Sequence, residues 1–234
     1  MEVEICANSY ESALAAQEGG AHRVELCEHL GVGGLTPSES LLEQVLTTLS
    51  IPVHVLIRPR AGNFVYSEDE RMTVLNTIER CKEQHCAGIV VGALTSKNEV
   101  DVAFLKQIVA VSEGMHLTFH RAFDHVMQPL KTLETLLEMG MHRLLSSGQC
   151  ANAMEGLPLL LQLLEQSDNS MDIMPGAGIR PSHIVPLKHH GFKHVHLSAI
   201  RKSDPPPTAH FFDTGVQGTT DVGIVREVVR LASR

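Results

Sequence analysis

The tetrapeptide Val3-Glu4-Ile5-Cys6 recurs as Val24-Glu25-Leu26-Cys27. Between the copies, Ser9 to Gly20 carries a short helical pattern that ends at glycine. Strand, helix and second strand form a crossover unit, so the two strands are expected to be parallel neighbours. Side chains alternate along a strand. Val3, Ile5, Val24 and Leu26 therefore share one face, and Glu4, Cys6, Glu25 and Cys27 the other. Parallel strands are usually buried on both faces. The repeat thus puts carboxylates and thiols where apolar residues cost less, and a buried charge needs a partner or a purpose.

The same rhythm continues along the chain. It predicts further strands at Ile51–Ile57, Gly88–Gly92, His116–His120, Arg143–Gly148, Asp172–Gly178 and His194–Ser198. Helical patterns follow Ser38 and Ser67 and run over Val100–Ser112, Pro129–Met139, Asn152–Gln166, Ser182–His190 and Thr220–Ala232. The polar stretch around Pro205-Pro206-Pro207 reads as a loop. Eight strands alternating with eight helices imply an α/β protein built as a single (β/α)8 TIM barrel over residues 1–234. An open doubly wound sheet is the alternative, but eight nearly equal units favour closure.

Charge and composition narrow the function. A net charge of -8 argues against a general binder of nucleic acid or anionic membranes. No apolar run approaches the roughly 18 residues that span a bilayer. The first strand begins at Glu2, leaving no room for a signal peptide. Cys6, Cys27, Cys81, Cys86 and Cys150 are odd in number and lack a framework spacing, which points to free thiols in a reducing cytoplasm. Cys81 and Cys86 have no second Cys/His pair at zinc spacing.

Barrel sites lie at the C-terminal ends of the strands. There the sequence offers Glu4, Cys6, Glu25, Cys27, Glu28, His54, Arg58, Arg60, His120, Arg121, Asp124, Ser146, Ser147, His196 and Ser198. Glu4 and Glu25 are expected to find buried partners in Arg58 and a histidine, and Arg121 with Asp124 reads as a loop ion pair. Cys6 and Cys27, at the ends of neighbouring strands, either share a soft metal such as copper(I) or zinc or are two inert buried cysteines. Gly176-Ala177-Gly178 after the seventh strand and Ser198 after the eighth occupy the usual phosphate position of such barrels. The other reading is a tight turn that needs glycine.

The ordered stretches Glu4-Ile5-Cys6, Arg23-Val24-Glu25-Leu26-Cys27, Gly33-Gly34-Leu35-Thr36-Pro37-Ser38, Ile57-Arg58-Pro59-Arg60, Thr118-Phe119-His120-Arg121-Ala122-Phe123-Asp124, Ser146-Ser147-Gly148, Pro175-Gly176-Ala177-Gly178 and His196-Leu197-Ser198-Ala199 resemble the CutC family over essentially the whole chain. The resemblance implies a barrel, a homo-oligomer, and a role in intracellular copper handling with copper(I) on cysteines, here Cys6 and Cys27. Where the family often has Arg-Gly-Gly-Asp-Phe this chain has Arg60-Ala61-Gly62-Asn63-Phe64, which removes a carboxylate from the mouth. Two functions remain open. One is a cytoplasmic copper(I)-binding homeostasis protein. The other is a barrel enzyme acting on a small anionic or phosphorylated metabolite. In the second, Arg58 and Arg60 grip the anion with Gly176, Gly178 and Ser198, Glu25 or His120 serves as acid or base, and Cys27 is a candidate nucleophile.

Overall fold

A computed structural model describes residues 1–200 and 218–233. The proline triplet expected as a loop lies outside the described residues. Eight strands, β1 (Glu2–Ala7), β2 (Arg23–Leu26), β3 (Val53–Leu56), β4 (Gly88–Val91), β5 (His116–Phe119), β6 (Arg143–Ser146), β7 (Asp172–Pro175) and β8 (His194–Leu197), form one parallel sheet in the order β7-β6-β5-β4-β3-β2-β1-β8. β7 and β8, the two ends of that series, pack against each other and bring the sheet round into a barrel. The helices are α1 (Tyr10–Glu18), α2 (Glu39–Thr48), α3 (Glu68–Glu83), α4 (Val102–Val111), α5 (Pro129–Glu138), α6 (Leu157–Ser167), α7 (Pro181–His189) and α8 (Val222–Ser233). None of the described helices is long and apolar enough to cross a membrane.

Local chemistry sets these boundaries. Ser9 accepts the Ser12 N–H at the start of α1. Ser67 and Glu70 form a reciprocal capping box at the start of α3. Two short 3-10 turns, Leu30–Val32 and Arg121–His125, occupy stretches without helical periodicity. The sixth helix starts later than its apolar pattern suggests, at Leu157 rather than Asn152. The backbone crosses itself first: a Cβ on Gly148 would stand 2.1 Å from the Gly156 carbonyl oxygen. Only glycine permits that approach.

Alternation along the strands divides the core in two. Val3, Ile5, Val24, Leu26, Val53, Val55, Ile89, Val91, Leu117, Phe119, Leu144, Ile173, Val195 and Leu197 pack outward against the helices in one large apolar cluster. Inside, Cys6, Cys27, Leu56 and Val90 form a small separate cluster. Each fully buried aliphatic side chain contributes about 1.5–3 kcal/mol, so the outer layer carries most of the stability.

The rest of the interior is polar. The Arg23 guanidinium donates through Nε to Glu4 at 2.5 Å and through NH1 to Glu2 at 2.7 Å. Arg143 NH1 is 4.0 Å from Glu4, and its NH2 is 3.7 Å from Asp172. His194 Nε2 stands 2.9 Å from Asp172. Glu4 was expected to pair with Arg58 in the mouth. Its cation is Arg23 instead, because Arg23 stands directly beside Glu4 in the β1–β2 register. Glu4 and His54 sit within the barrel rather than at its rim. Removing one partner of a buried pair leaves an uncompensated charge. Arg23→Met is therefore expected to lower unfolding free energy by about 3–5 kcal/mol in urea denaturation. Arg23→Met combined with Glu4→Gln should recover part of that loss.

Candidate functional site

Inside the barrel, three adjacent strands, β8, β1 and β2, bring together Glu4, Cys6, Glu25, Cys27 and His196. Pairing places Cys6 opposite Glu25 and Glu4 opposite His196. Cys6 Sγ lies 3.6 Å from Cys27 Sγ and 3.6 Å from Glu25 Oε1. His196 Nδ1 is 2.8 Å from Glu4 Oε1 and 4.0 Å from Glu25 Oε2. Ligand atoms of Cys6, Glu25 and His196 all fall within 4.8 Å of one another. Cys6 and Cys27 are both buried and both free thiols.

Burial tunes these groups. The hydrogen bond to Cys27 and burial push the Cys6 thiol well above its ordinary range, and the Glu25 charge adds to this. Burial raises the Glu25 carboxyl to about 7, with His196 opposing and Glu4 reinforcing. Burial also disfavours the Glu4 carboxylate, yet Arg23, His196 and His54 together hold it well below its ordinary value. His196 shows the converse: burial disfavours its cation, but Glu25, the Cys6 hydrogen bond and Glu4 hold its pKa well above the ordinary value. The hydrogen-bonded Glu4–Arg23 pair thus lies beneath a protonatable group of Glu25, His196 and Cys6.

A lid covers Cys27. Gly34 has φ +85, and a Cβ there would meet Leu56 Cδ2 at 2.8 Å and Cys27 Sγ at 3.5 Å. Arg58 fastens this loop, its NH1 donating to the Val32 and Gly34 carbonyls at 2.9 Å and its NH2 to Gly62 at 2.9 Å. Arg60 is occupied differently. It binds Glu70 through Nε at 2.5 Å and the Asn63 and Val65 carbonyls at 2.9 and 2.7 Å. His120 accepts the Ala122 N–H on Nδ1 at 3.1 Å. Its ring lies so close to β4 that a Cβ on Gly92 would stand 2.4 Å from it. The expected Arg121–Asp124 pair forms at 2.8 Å. Asp124 also accepts the Ser146 and Ser147 hydroxyls at 2.6 and 2.9 Å, tying the loop after β5 to β6.

The residues expected to hold an anion separate into two groups. Arg58 and Arg60 follow β3, whereas Gly176 and Gly178 follow β7 and Ser198 follows β8. β3 and β7 are four strands apart around an eight-stranded barrel, so they stand on opposite sides. The Gly176 N–H is already donated to the Ser146 carbonyl at 3.0 Å, and Gly178, at φ +68, packs on Asn152. His196 had no assigned role in the sequence, and Arg23 and Arg143 no place in the expected site. Strand alternation through His194 and His196 was the available signal for the first.

Comparison with known proteins fits this arrangement. The sequence model of the CutC family matches residues 1–201. The chain belongs to the CutC family. A family protein CutC from Xylella fastidiosa is 42% identical over 99% of this chain and 89% of its own length. One from Chromobacterium violaceum is 48% identical over 79% of this chain and 75% of its own. The crystal structure of the copper homeostasis protein CutC from Streptococcus agalactiae superposes with a TM-score of 0.80 at 32% identity, covering 85% of this chain and 98% of that one. Thiamine phosphate pyrophosphorylase from Pyrococcus furiosus shares the fold alone, with 12% identity and a TM-score of 0.62 over 99% of this chain and 95% of that one.

The interior histidines give this CutC barrel a pH signature. Burial lowers His54 to about 4 and His116 to about 3, and burial with the Arg58 charge lowers His120 to about 3. A depressed folded pKa means that the unfolded chain binds more protons between the folded value and about 6.5. Three imidazoles take up protons on unfolding, whereas Glu25, protonated in the fold up to about 7, and His196, whose pKa is raised in the fold, release them. Net uptake near pH 5.5 is about two protons and shrinks toward pH 6.5, where His196 joins Glu25 in releasing. Stability is expected to rise steeply from pH 4.5 to about 5.5 and to level off toward pH 6.5. Urea midpoints that stay flat over that window contradict this electrostatic account.

Proposed function

We propose that this chain binds copper(I) in the barrel mouth through Cys6 and Cys27, with His196 as a third donor, and serves copper homeostasis in the cytoplasm as a single barrel unit. The observation that carries the reading is the 3.6 Å separation of the two thiols beside the Cys6, Glu25 and His196 cluster. Thiolates and imidazole suit a soft ion, whereas a carboxylate suits a hard one. Glu25 therefore stands beside the site as a hydrogen-bond acceptor for the Cys6 thiol rather than as a ligand. His196 gives Nδ1 to Glu4, the arrangement by which a carboxylate fixes the ring of a metal-binding histidine. Copper is the cargo here, and ligation requires that the thiols lose their protons, so binding tightens as pH rises.

The test is stoichiometry. Cys6→Ser with Cys27→Ser should abolish one-to-one copper(I) binding in competition with a chromogenic chelator. Cys81→Ser with Cys86→Ser should retain it, because those residues pack in the outer cluster beyond the sheet. Unchanged binding in the first double variant refutes the site.

A second reading has one observation in its favour. A thiol, a carboxyl and an imidazole in mutual reach also form an acid–base set, which a barrel enzyme on a small anionic metabolite requires. The family resemblance also supports a homo-oligomer, and Met72, Met127, Leu130 and Val185 expose apolar surface. Light scattering at micromolar protein should show more than one chain per particle; a monomer alone contradicts it.

A further inference from the structure

Among the described residues, Arg58 is a buried cation without a counterion. It is 6% exposed, and its three hydrogen bonds go to the neutral carbonyls of Val32, Gly34 and Gly62. Its Nε–H has no partner. None of the described carboxylates pairs with it. The nearby Glu70 is taken by Arg60, and Asn63, which also faces Arg60, is neutral. A desolvated guanidinium in this state is costly unless an anion completes it.

Two further buried donors stand beside it. The Tyr66 hydroxyl, on a residue 6% exposed, has no partner, and neither has His120 Nε2, on a residue 5% exposed. His120 Nδ1 accepts a backbone N–H, so the ring proton sits on the unpartnered Nε2. Phe64 joins Arg58 to His120, and Tyr66 lies beneath the neighbouring Arg60, 5.6 Å from its guanidinium. Phe64 lies 5.1 Å from the Arg58 guanidinium and 5.0 Å from the His120 ring. Arg58 is the strongest charge acting on both Tyr66 and His120. All three follow the C-terminal ends of β3 and β5, the working end of a barrel.

We propose that Arg58 Nε, Tyr66 Oη and His120 Nε2 bind one small oxyanion, a carboxylate or phosphate group, at the β3–β5 side of the mouth. The site is distinct from the thiols and does not depend on copper. It contains three donors and one full positive charge, and the neighbouring carboxylate, Glu70, is paired with Arg60. Arg58 contributes a single N–H and a charge rather than a bidentate fork, because its two terminal nitrogens are fixed on the loop over Cys27. The other donors supply the remaining lone-pair contacts, and Phe64 closes the apolar side.

The experiment uses the full chain at pH 7 in chloride-free buffer, titrated calorimetrically with inorganic phosphate and, separately, with acetate. One of them should saturate at one per chain, and which one does so identifies the chemical source of the oxyanion. Tyr66→Phe removes only the hydroxyl. His120→Asn keeps an acceptor for the Ala122 N–H and removes the Nε2 donor. Each should weaken binding about ten-fold, the order expected for a hydrogen bond to a charged group. Thermal midpoint and copper(I) stoichiometry should be unchanged in Tyr66→Phe. Failure of both probes to saturate, an adventitious ion only, overturns the proposal. So does binding that both variants leave intact, or a crystal structure grown in phosphate and acetate with ordered water alone on the three donors.

Discussion

The fully buried carboxylate of Glu4 organises the inside of this barrel. It holds Arg23 from β2 and His196 from β8, so one side chain links the three strands at which the first and last repeats meet. A carboxylate in that position has no water to solvate it, and desolvation cancels much of the attraction to its partners. The pairing therefore adds little stability compared with apolar side chains of equal volume. What it adds is placement. With Arg23 bound to Glu4, His196 is turned with Nδ1 toward Glu4 and stays within reach of Cys6 and Glu25. The charge that Glu4 places near Glu25 helps keep that second carboxyl protonated. Two chemically identical residues at equivalent repeat positions thus shift in opposite directions, because only Glu4 accepts directly from the Arg23 guanidinium.

Above that layer the interior changes character within one step along the strands. Cys6 and Cys27 meet Leu56 and Val90 in an apolar pocket, with the Gly33-Gly34 loop over it. A thiol in such surroundings remains protonated until something outcompetes the proton. A hard cation would find few oxygens there, since the carboxyl beside the thiols, Glu25, is itself inclined to be neutral. The proposed preference for a soft ion thus rests on dryness as well as on sulfur. Arg58 serves that dryness by fixing the loop, so its side chain affects access to Cys27 without touching it.

Much of the fold was legible because period-2 and period-3.6 patterns are local. The repeat at Glu4-Ile5-Cys6 and Glu25-Leu26-Cys27 placed both thiols on neighbouring strands facing inward, and they do lie there. What alternation cannot give is height. It assigns Glu4, Cys6 and Arg23 the same inner face but does not say that Arg23 reaches up to Glu4 while Arg58, two strands over and near the rim, turns to loop carbonyls. Partner choice depends on the stagger between strands, which is set by tilt and closure of the whole barrel. The same blindness grouped Gly176 and Ser198 with Arg58, although the eight-strand order puts them across the mouth. The late start of α6 was hidden for another reason. It follows from a backbone crossing at Gly148 and Gly156, a contact between residues that no periodicity relates.

The distant structural relatives sharpen the distinction between scaffold and chemistry. At 12% identity, a pyrophosphorylase shares this architecture over nearly the whole chain. Shared architecture with so little shared sequence shows a common fold alone, and a fold by itself does not specify function. Function has to reside in what fills the inside. Most barrels fill it with branched apolar residues. Here the filling is a paired carboxylate at mid-height, two thiols above it and an uncompensated arginine at the rim. Each is a poor choice for stability alone, since buried unpaired donors cost about 1–3 kcal/mol apiece. A chain that tolerates several such costs in one channel, while its outer layer is apolar and well packed, has its chemistry in that channel.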